Sequence, residues 1–227
     1  MMGASGTFSI VARCPRSGAL GVAVATGAVG VRSRVPHVAV GVGAIATQGY
    51  TEITYGVLGL RLLKQGLEPK DVLEYLLERD AGREYRQVAI IDSKGRKAAH
   101  TGRRTPAWSG HRMGADYVVA GNLLSGEDVI SAMEEAFKRS THLNFEERLL
   151  LVLEAGERAG GDRRGELSSA LLVARPGSPI LDLSVDYHEN PIKELRCRLE
   201  GYKRRRQQSS GLGGRPWTQR TSSDSSP

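Results

Sequence analysis

Helical patterns come in two adjacent pairs in this chain, and the remaining patterned stretches read as strands apart from one helix at the end. Apolar residues at helical spacing run from Thr54 through Val57, Leu58, Leu60, Leu62 and Leu63 to a stop at Gly66, and again from Pro69 through Val72, Leu73, Leu76 and Leu77. Pro69 suits a first helical turn, where its missing N–H is no loss. The second pair covers Glu127 to Arg139, opened by Ser125, and Phe145 to Ala159, where Asn144 and Glu147 stand at capping-box spacing. Strands are expected at Thr7 to Ala12, Leu20 to Thr26, Gln87 to Asp92, Lys97 to Thr101, Tyr117 to Ala120, Ser168 to Ala174 and Ile180 to Asp186, with a closing helix from Pro191 to about Leu199. The run Val35 to Gln48 is apolar almost throughout and reads as one strand buried on both faces, with Gly41 and Gly43 marking a bulge or a close backbone approach.

Hairpin-linked strands separated by helix pairs point to α+β architecture with antiparallel sheets. Two such sheets face to face, each covered by helices, bury every apolar face, so the predicted fold is a four-layer αββα sandwich. Aromatics make up only 5% of the chain while glycine numbers 28, so aliphatic and small side chains must fill the core. No run of about 18 apolar residues occurs, and the N-terminus lacks a secretory layout, which predicts a soluble, cytoplasmic protein with no membrane partner. Cys14 and Cys197 form no disulfide framework, and the five histidines are dispersed, so neither a metal nor another cofactor is expected.

The net charge of +7 is concentrated in residues 203–227, which hold Lys203, Arg204, Arg205, Arg206, Arg215 and Arg220 against Asp224 alone. Ser, Gly, Gln and Arg dominate that stretch and Trp217 is its one aromatic, so it reads as a disordered basic tail. Nucleic acid is expected to touch the chain through this tail or not at all. The expected organisation is a leader or propeptide-like extension at 1–6, a single domain at 7–202 and the tail at 203–227, with a homo-oligomer as the expected state.

Gly6-Thr7 places a hydroxyl residue at the mouth of the first strand. In one reading Thr7 is an ordinary β-branched strand residue. In the other, cleavage before Thr7 frees an α-amine, which titrates at roughly 7.7 to 8.0 and can act as the base for the adjacent hydroxyl. The preceding glycine would leave the scissile carbonyl unshielded.

The segments TFSIVAR (7–13), LGVAVAT (20–26), VGAIATQGYT (42–51), YGVLGLRLL (55–63), AGREYRQVAIID (81–92), AAHTG (98–102), AGNLLSG (120–126), AGGDRRGELSSALLV (159–173) and VDYHENPIKELR (185–196) resemble the DUF1028 family, in that family's order. The family is placed among the N-terminal-nucleophile hydrolases. The resemblance implies the αββα sandwich and an amide-hydrolysing activity, and it supplies no substrate. Arg13-Cys14-Pro15 stands where the family usually has Arg-Asp-Pro, and no lysine equivalent to the one beside the nucleophile of proteasome-like relatives is evident, which leaves Arg32 or Arg34 as a source of positive charge.

Around Thr7, Asn122 is expected as an oxyanion donor at a strand end. Asp162, within Gly160-Gly161-Asp162-Arg163-Arg164-Gly165, is expected to orient the Thr7 amine, while Arg163 or Arg164 pairs with a substrate carboxylate. The competing reading of that loop is a glycine C-cap. Gln48, Tyr50 and His100 are expected to line the pocket. Two functions follow: an amidohydrolase that cleaves a C–N bond in a small molecule through an N-terminal threonine, or a non-catalytic ligand- or partner-binding protein on the same scaffold.

Overall fold

The computed structural model describes residues 6–211, with side chains through residue 208. Chain order runs β1 (Thr7–Cys14), β2 (Ala19–Thr26), β3 (Pro36–Ala39), β4 (Gly43–Gly49), α1 (Ile53–Lys64), α2 (Pro69–Glu78), β5 (Arg86–Asp92), β6 (Lys97–Thr101), β7 (Gly110–Met113), β8 (Tyr117–Asn122), α3 (Asp128–Arg139), α4 (Phe145–Arg158), β9 (Ser168–Ala174), β10 (Leu181–Val185) and α5 (Pro191–Gly211). The strands form a six-stranded sheet in the order β10-β9-β2-β1-β8-β7 and a four-stranded sheet in the order β3-β4-β5-β6. Neighbouring strands are antiparallel throughout both.

Alternation along β1 sorts its side chains between two cores. Phe8, Ile10 and Ala12 join Met133, Phe137, Leu149 and Leu153 of α3 and α4 under the outer face of the large sheet. Val11 faces the other way and packs with Leu20, Val22 and Val24 of β2 against Ala44, Ala46, Ala89 and Ile91 of the small sheet. A third core joins Ile45, Val88 and Ile90 to Tyr55, Leu62, Leu63, Val72 and Leu76 of α1 and α2. Three apolar interfaces between four layers make the αββα sandwich that the pairing of helices predicts. Leu171 of β9 is completely buried in the first core. Leu171→Ala is therefore expected to cost about 2–5 kcal/mol, read as a lower urea midpoint with an unchanged slope.

Three expectations are corrected. Residues 35–48 form two strands, since Gly41 adopts φ 69° and Val42 N–H bonds back to Ala39 O at 3.1 Å, closing a hairpin. Gly43 is the close approach: a Cβ there would lie 2.6 Å from Leu63 Cδ1 and 2.8 Å from Ile91 O. The short edge strand β7 was not expected at all. Finally, α5 overruns the boundary expected at residue 202 and continues to Gly211, with Leu199 fully buried, Tyr202 packed on the first core and Lys203 ion-paired to Glu147. The tail beyond residue 211 and the leader at 1–5 lie outside the described residues. Among the described residues no helix is long and apolar enough to cross a membrane.

Candidate active site

The Cys14-to-Ala19 turn fixes the register of β1 on β2 so that Thr7 pairs with Thr26, and β8 on the other side places Asn122 opposite Thr7. Thr7 thus begins a central strand of the large sheet, on the face turned toward the small sheet, and is 2% exposed. Its hydroxyl donates to Thr26 Oγ1 at 3.1 Å, and the Thr26 hydroxyl donates in turn to the carbonyl oxygen of Gly6. The sequence places Thr26 only at the end of the second strand, with no role at the site, although counting across the Pro15 to Gly18 turn puts it opposite Thr7.

Asp162 reaches this point through the loop after α4. Gly160 and Gly161, at φ 109° and 46°, end the helix, and the bridge between Leu124 and Asp162 ties the loop to the end of β8. Leu123, at φ 52°, bends the chain between Asn122 and that bridge, a left-handed conformation that non-glycine residues rarely adopt outside functional turns. The glycines thus end α4, as the C-cap reading expects, while the aspartate turns inward toward Gly6 and Gly27. Its carboxylate accepts from Gly27 N–H at 2.7 Å and Arg164 N–H at 3.0 Å, and pairs with the Arg164 guanidinium at 3.0 Å. It presses so closely on the backbone before the threonine that a Cβ at Gly6 would lie 2.5 Å from Asp162 Cγ, and one at Gly27 would lie 2.6 Å from Oδ2. Arg163 is exposed, and its N–H donates to Leu123 O at 3.1 Å.

Behind Asp162, Glu166 Oε1 accepts the Asp162 N–H at 2.9 Å. Burial, with a lesser contribution from the Asp162 charge, pushes the Glu166 carboxyl above the usual range, and burial with the Glu166 charge does the same to Glu157. A raised folded-state pKa means stability that is present below the unfolded carboxylate value of about 4.3 and is lost as pH rises through the folded value. Glu166→Gln keeps the acceptor and removes this loss. Its melting temperature at pH 7 is expected to exceed wild type by about 2–4 °C, with the difference vanishing toward pH 4 in a thermal scan series.

Beside Thr7 the layer between the sheets turns from apolar to polar. Ser9 Oγ donates to Gln48 Oε1 at 2.7 Å, Gln48 Nε2 to Gln87 Oε1 at 2.7 Å, and Asn122 Nδ2 to the same Gln87 oxygen at 3.1 Å. Gln87 sets the direction of the whole lattice. Its Nε2 faces the carbonyl oxygens of Gly110 at 3.0 Å and Gly121 at 2.8 Å, where only a donor fits, so its Oε1 must be the shared acceptor. Thr101 Oγ1 joins at 2.9 Å and bonds His111 Nδ1 at 2.8 Å. Burial, and to a lesser degree the nearby His100 charge, hold His111 below the ordinary histidine value.

This lattice revises several expected roles. Asn122 gives one of its two Nδ2 hydrogens to Gln87, and its buried Oδ1 has no hydrogen-bond partner among the described residues, so the side chain offers an acceptor beside the donor that was expected. Gln48 links the sheets with both ends engaged. His100 alternates with Thr101 and faces out of the small sheet, with Nε2 on Arg83 O at 3.0 Å, so it is removed from the group around Thr7. Tyr50 follows β4 at the surface, edge-on to Tyr85 at 5.4 Å. Arg32 is bound through Nε and one Nη to Asp182, and Arg34 donates to Val29 O, whereas Arg164 is the cation paired with Asp162. Among the described residues no cluster of side chains is suited to hold a metal.

The sequence model of a family described as "Family of unknown function (DUF1028)" matches residues 7–195. The chain belongs to the DUF1028 family. A crystal structure of another DUF1028 protein, SPO2555 from Silicibacter pomeroyi, is 37% identical and superposes with a TM-score of 0.79 over 92% of this chain and 91% of that one. The DUF1028 chain also overlaps Anbu, an ancestral beta-subunit from Yersinia bercovieri, at 12% identity and a TM-score of 0.37, covering 93% and 99% of the two chains. That likeness is too slight to bear on chemistry. No curated protein matches the sequence.

Proposed function

We propose that this DUF1028 protein is an N-terminal-nucleophile hydrolase that cleaves a C–N amide bond in a small molecule, with Thr7 as nucleophile after removal of the residues before it. The observation that carries the reading is the hydrogen-bonded chain from the Thr7 hydroxyl through the Thr26 hydroxyl to the Gly6 carbonyl oxygen. Such a chain suits self-cleavage. Thr7 Oγ1 attacks Gly6 C, its proton passes to Thr26, and the Thr26 proton passes to the Gly6 oxygen, which is thereby protonated as negative charge develops. Collapse returns the Gly6 oxygen's proton to the Thr7 nitrogen, breaks the Gly6–Thr7 C–N bond and leaves an ester with a free Thr7 amine, and water then hydrolyses the ester and releases the leader as a carboxylic acid.

The freed Thr7 amine takes the place of the Gly6 peptide, beside the Asp162 carboxylate, which holds it in position. In turnover the amine accepts the hydroxyl proton as Oγ1 attacks the substrate carbonyl, then returns it to the leaving nitrogen. Water hydrolyses the acyl-enzyme by the same route. Asn122 Oδ1 is suited to accept a substrate N–H, and a buried acceptor left empty would cost binding. Arg163, exposed beside the loop, is the cation for a substrate carboxylate.

The intact mass of the purified protein tests the reading. The expected mass is that of a chain beginning at Thr7. A preparation that retains Gly6 and still hydrolyses amides overturns it, and one that retains Gly6 and hydrolyses none of a broad amide panel favours the binding-protein alternative.

A further inference from the structure

We propose that the groove at the Cys14 end of β1 is a binding site for a small organic anion, with a carboxylate or phosphate head on an apolar body. The groove holds about 540 Å³, within the range of roughly 300–1,000 Å³ typical of ligand sites. It lies at the opposite end of β1 from Thr7, about 24 Å away along the strand, and shares no residue with the group around Thr7.

Its charge is unbalanced. Arg13, Arg16, Lys138 and Arg148 line it against Asp116 alone. Arg13 takes up that carboxylate at 3.1 Å and Lys138 pairs with Glu134, which leaves Arg16 and Arg148 without an acidic partner among the described residues. Arg148 is also the most buried of these cations, 8% exposed in the first turn of α4. One of its Nη atoms donates to Phe137 O at 2.9 Å, and the guanidinium lies 3.9 Å from the Phe137 ring centroid. Its Nε has no acceptor, and the Nε of Arg13 has none either. Two of the three buried side-chain atoms that lack a hydrogen-bond partner among the described residues therefore belong to guanidinium groups on one groove.

A cation buried without a counter-ion is costly, and an anion supplied from outside removes that cost. Burial holds the Arg148 guanidinium below the ordinary arginine value, the direction expected of a charge that lacks its partner. Tyr117 and Phe137 supply an aromatic part of the lining, which suits a ligand with a hydrocarbon or ring body.

Cys14 lines the same groove and reports its occupancy. Burial pushes its thiol up, but the Ser17 hydroxyl, the backbone N–H groups of Ser17 and Arg16 and the Arg16 charge outweigh this, so the thiol, buried in the groove wall, is held below its ordinary value. The exposed Cys197 of α5 is the internal control.

The experiment follows alkylation of both cysteines by iodoacetamide, using peptide mass spectrometry, in benzoate, in inorganic phosphate, and in sodium chloride at equal ionic strength. Expected is a several-fold slowing at Cys14 in benzoate or phosphate with Cys197 unchanged, and the anion that protects identifies the head group. Calorimetric titration of the same two anions reads binding independently of thiol access. Arg148→Met is expected to abolish the binding heat, and Arg16→Gln, a surface change that leaves the core intact, to weaken it several-fold. Absence of both protection and binding heat in the wild type overturns the proposal, as does undiminished binding in both variants.

Discussion

Thr7→Ala is expected to be isolated with Gly6 still attached and to lose amide hydrolysis by roughly 10³-fold or more, the scale of removing a nucleophile. The alanine lacks the oxygen that both attacks Gly6 C in self-cleavage and attacks substrate, so one substitution blocks two steps. Thr7→Ser keeps the oxygen and the amine but loses the methyl that restricts χ1, and partial processing with partial activity is expected. Ser9→Ala separates chemistry from architecture. Its hydroxyl points to the same face of β1, about 6–7 Å further on, and is committed to Gln48. It should process normally and lose only about 1 kcal/mol of stability. A processed, active Thr7→Ala protein eliminates the threonine mechanism.

Gln87→Leu is expected to lower stability by about 3–5 kcal/mol, a fall of roughly 10 °C in melting temperature for a domain of this size. Gln87 is fully buried, accepts from Gln48 and Asn122, and donates toward Thr101, Gly110 and Gly121. Leucine conserves volume but withdraws the donor from two backbone carbonyls and the acceptor from two amides, each costly when buried. Gln87→Glu should cost at least as much, because a carboxylate oxygen cannot donate to Gly110 or Gly121. Wild-type melting in either variant shows that the lattice does not hold the sheets together.

The layer order was legible because the helix pairs and most strands carry clear apolar periods. Where the period vanishes the reading failed, and for identifiable reasons. Residues 35–48 are apolar at nearly every position, and the Val40-Gly41-Val42 turn offers no polar residue to mark it. Gly110-His111-Arg112-Met113 is a short, polar edge strand with no buried stripe. Lys97-Ala98-Ala99-His100-Thr101 places alanine on both faces, so nothing local says whether His100 or Thr101 turns inward. That is settled by pairing Thr101 with Gln87 across β5 and β6.

At the candidate site, Thr7 and Asp162 could be picked out by residue type and by their glycine neighbours: Gly6 is small because Asp162 packs on it, and Gly160 and Gly161 take left-handed conformations at the end of α4. The direction of the Asn122 amide could not. It depends on two carbonyl oxygens that reach Gln87 from β7 and β8, a constraint assembled only in three dimensions. The role of Thr26 lay between these cases, since strand register alone brings it to Thr7.

The small side chains of the middle layer have one more consequence. Ala44, Ala46, Ala89, Ala99 and Ala170 act as a shim whose thickness sets how far Ser9 and Asn122 stand from Gln48 and Gln87. Hydrogen bonds tolerate only a few tenths of an ångström of stretch before they weaken. An added methyl or two at any of these alanines would therefore be felt at a distance, prying open the polar end of the gap like a pebble in a hinge. The spacing between the two sheets is thus kept by residues of one methyl each.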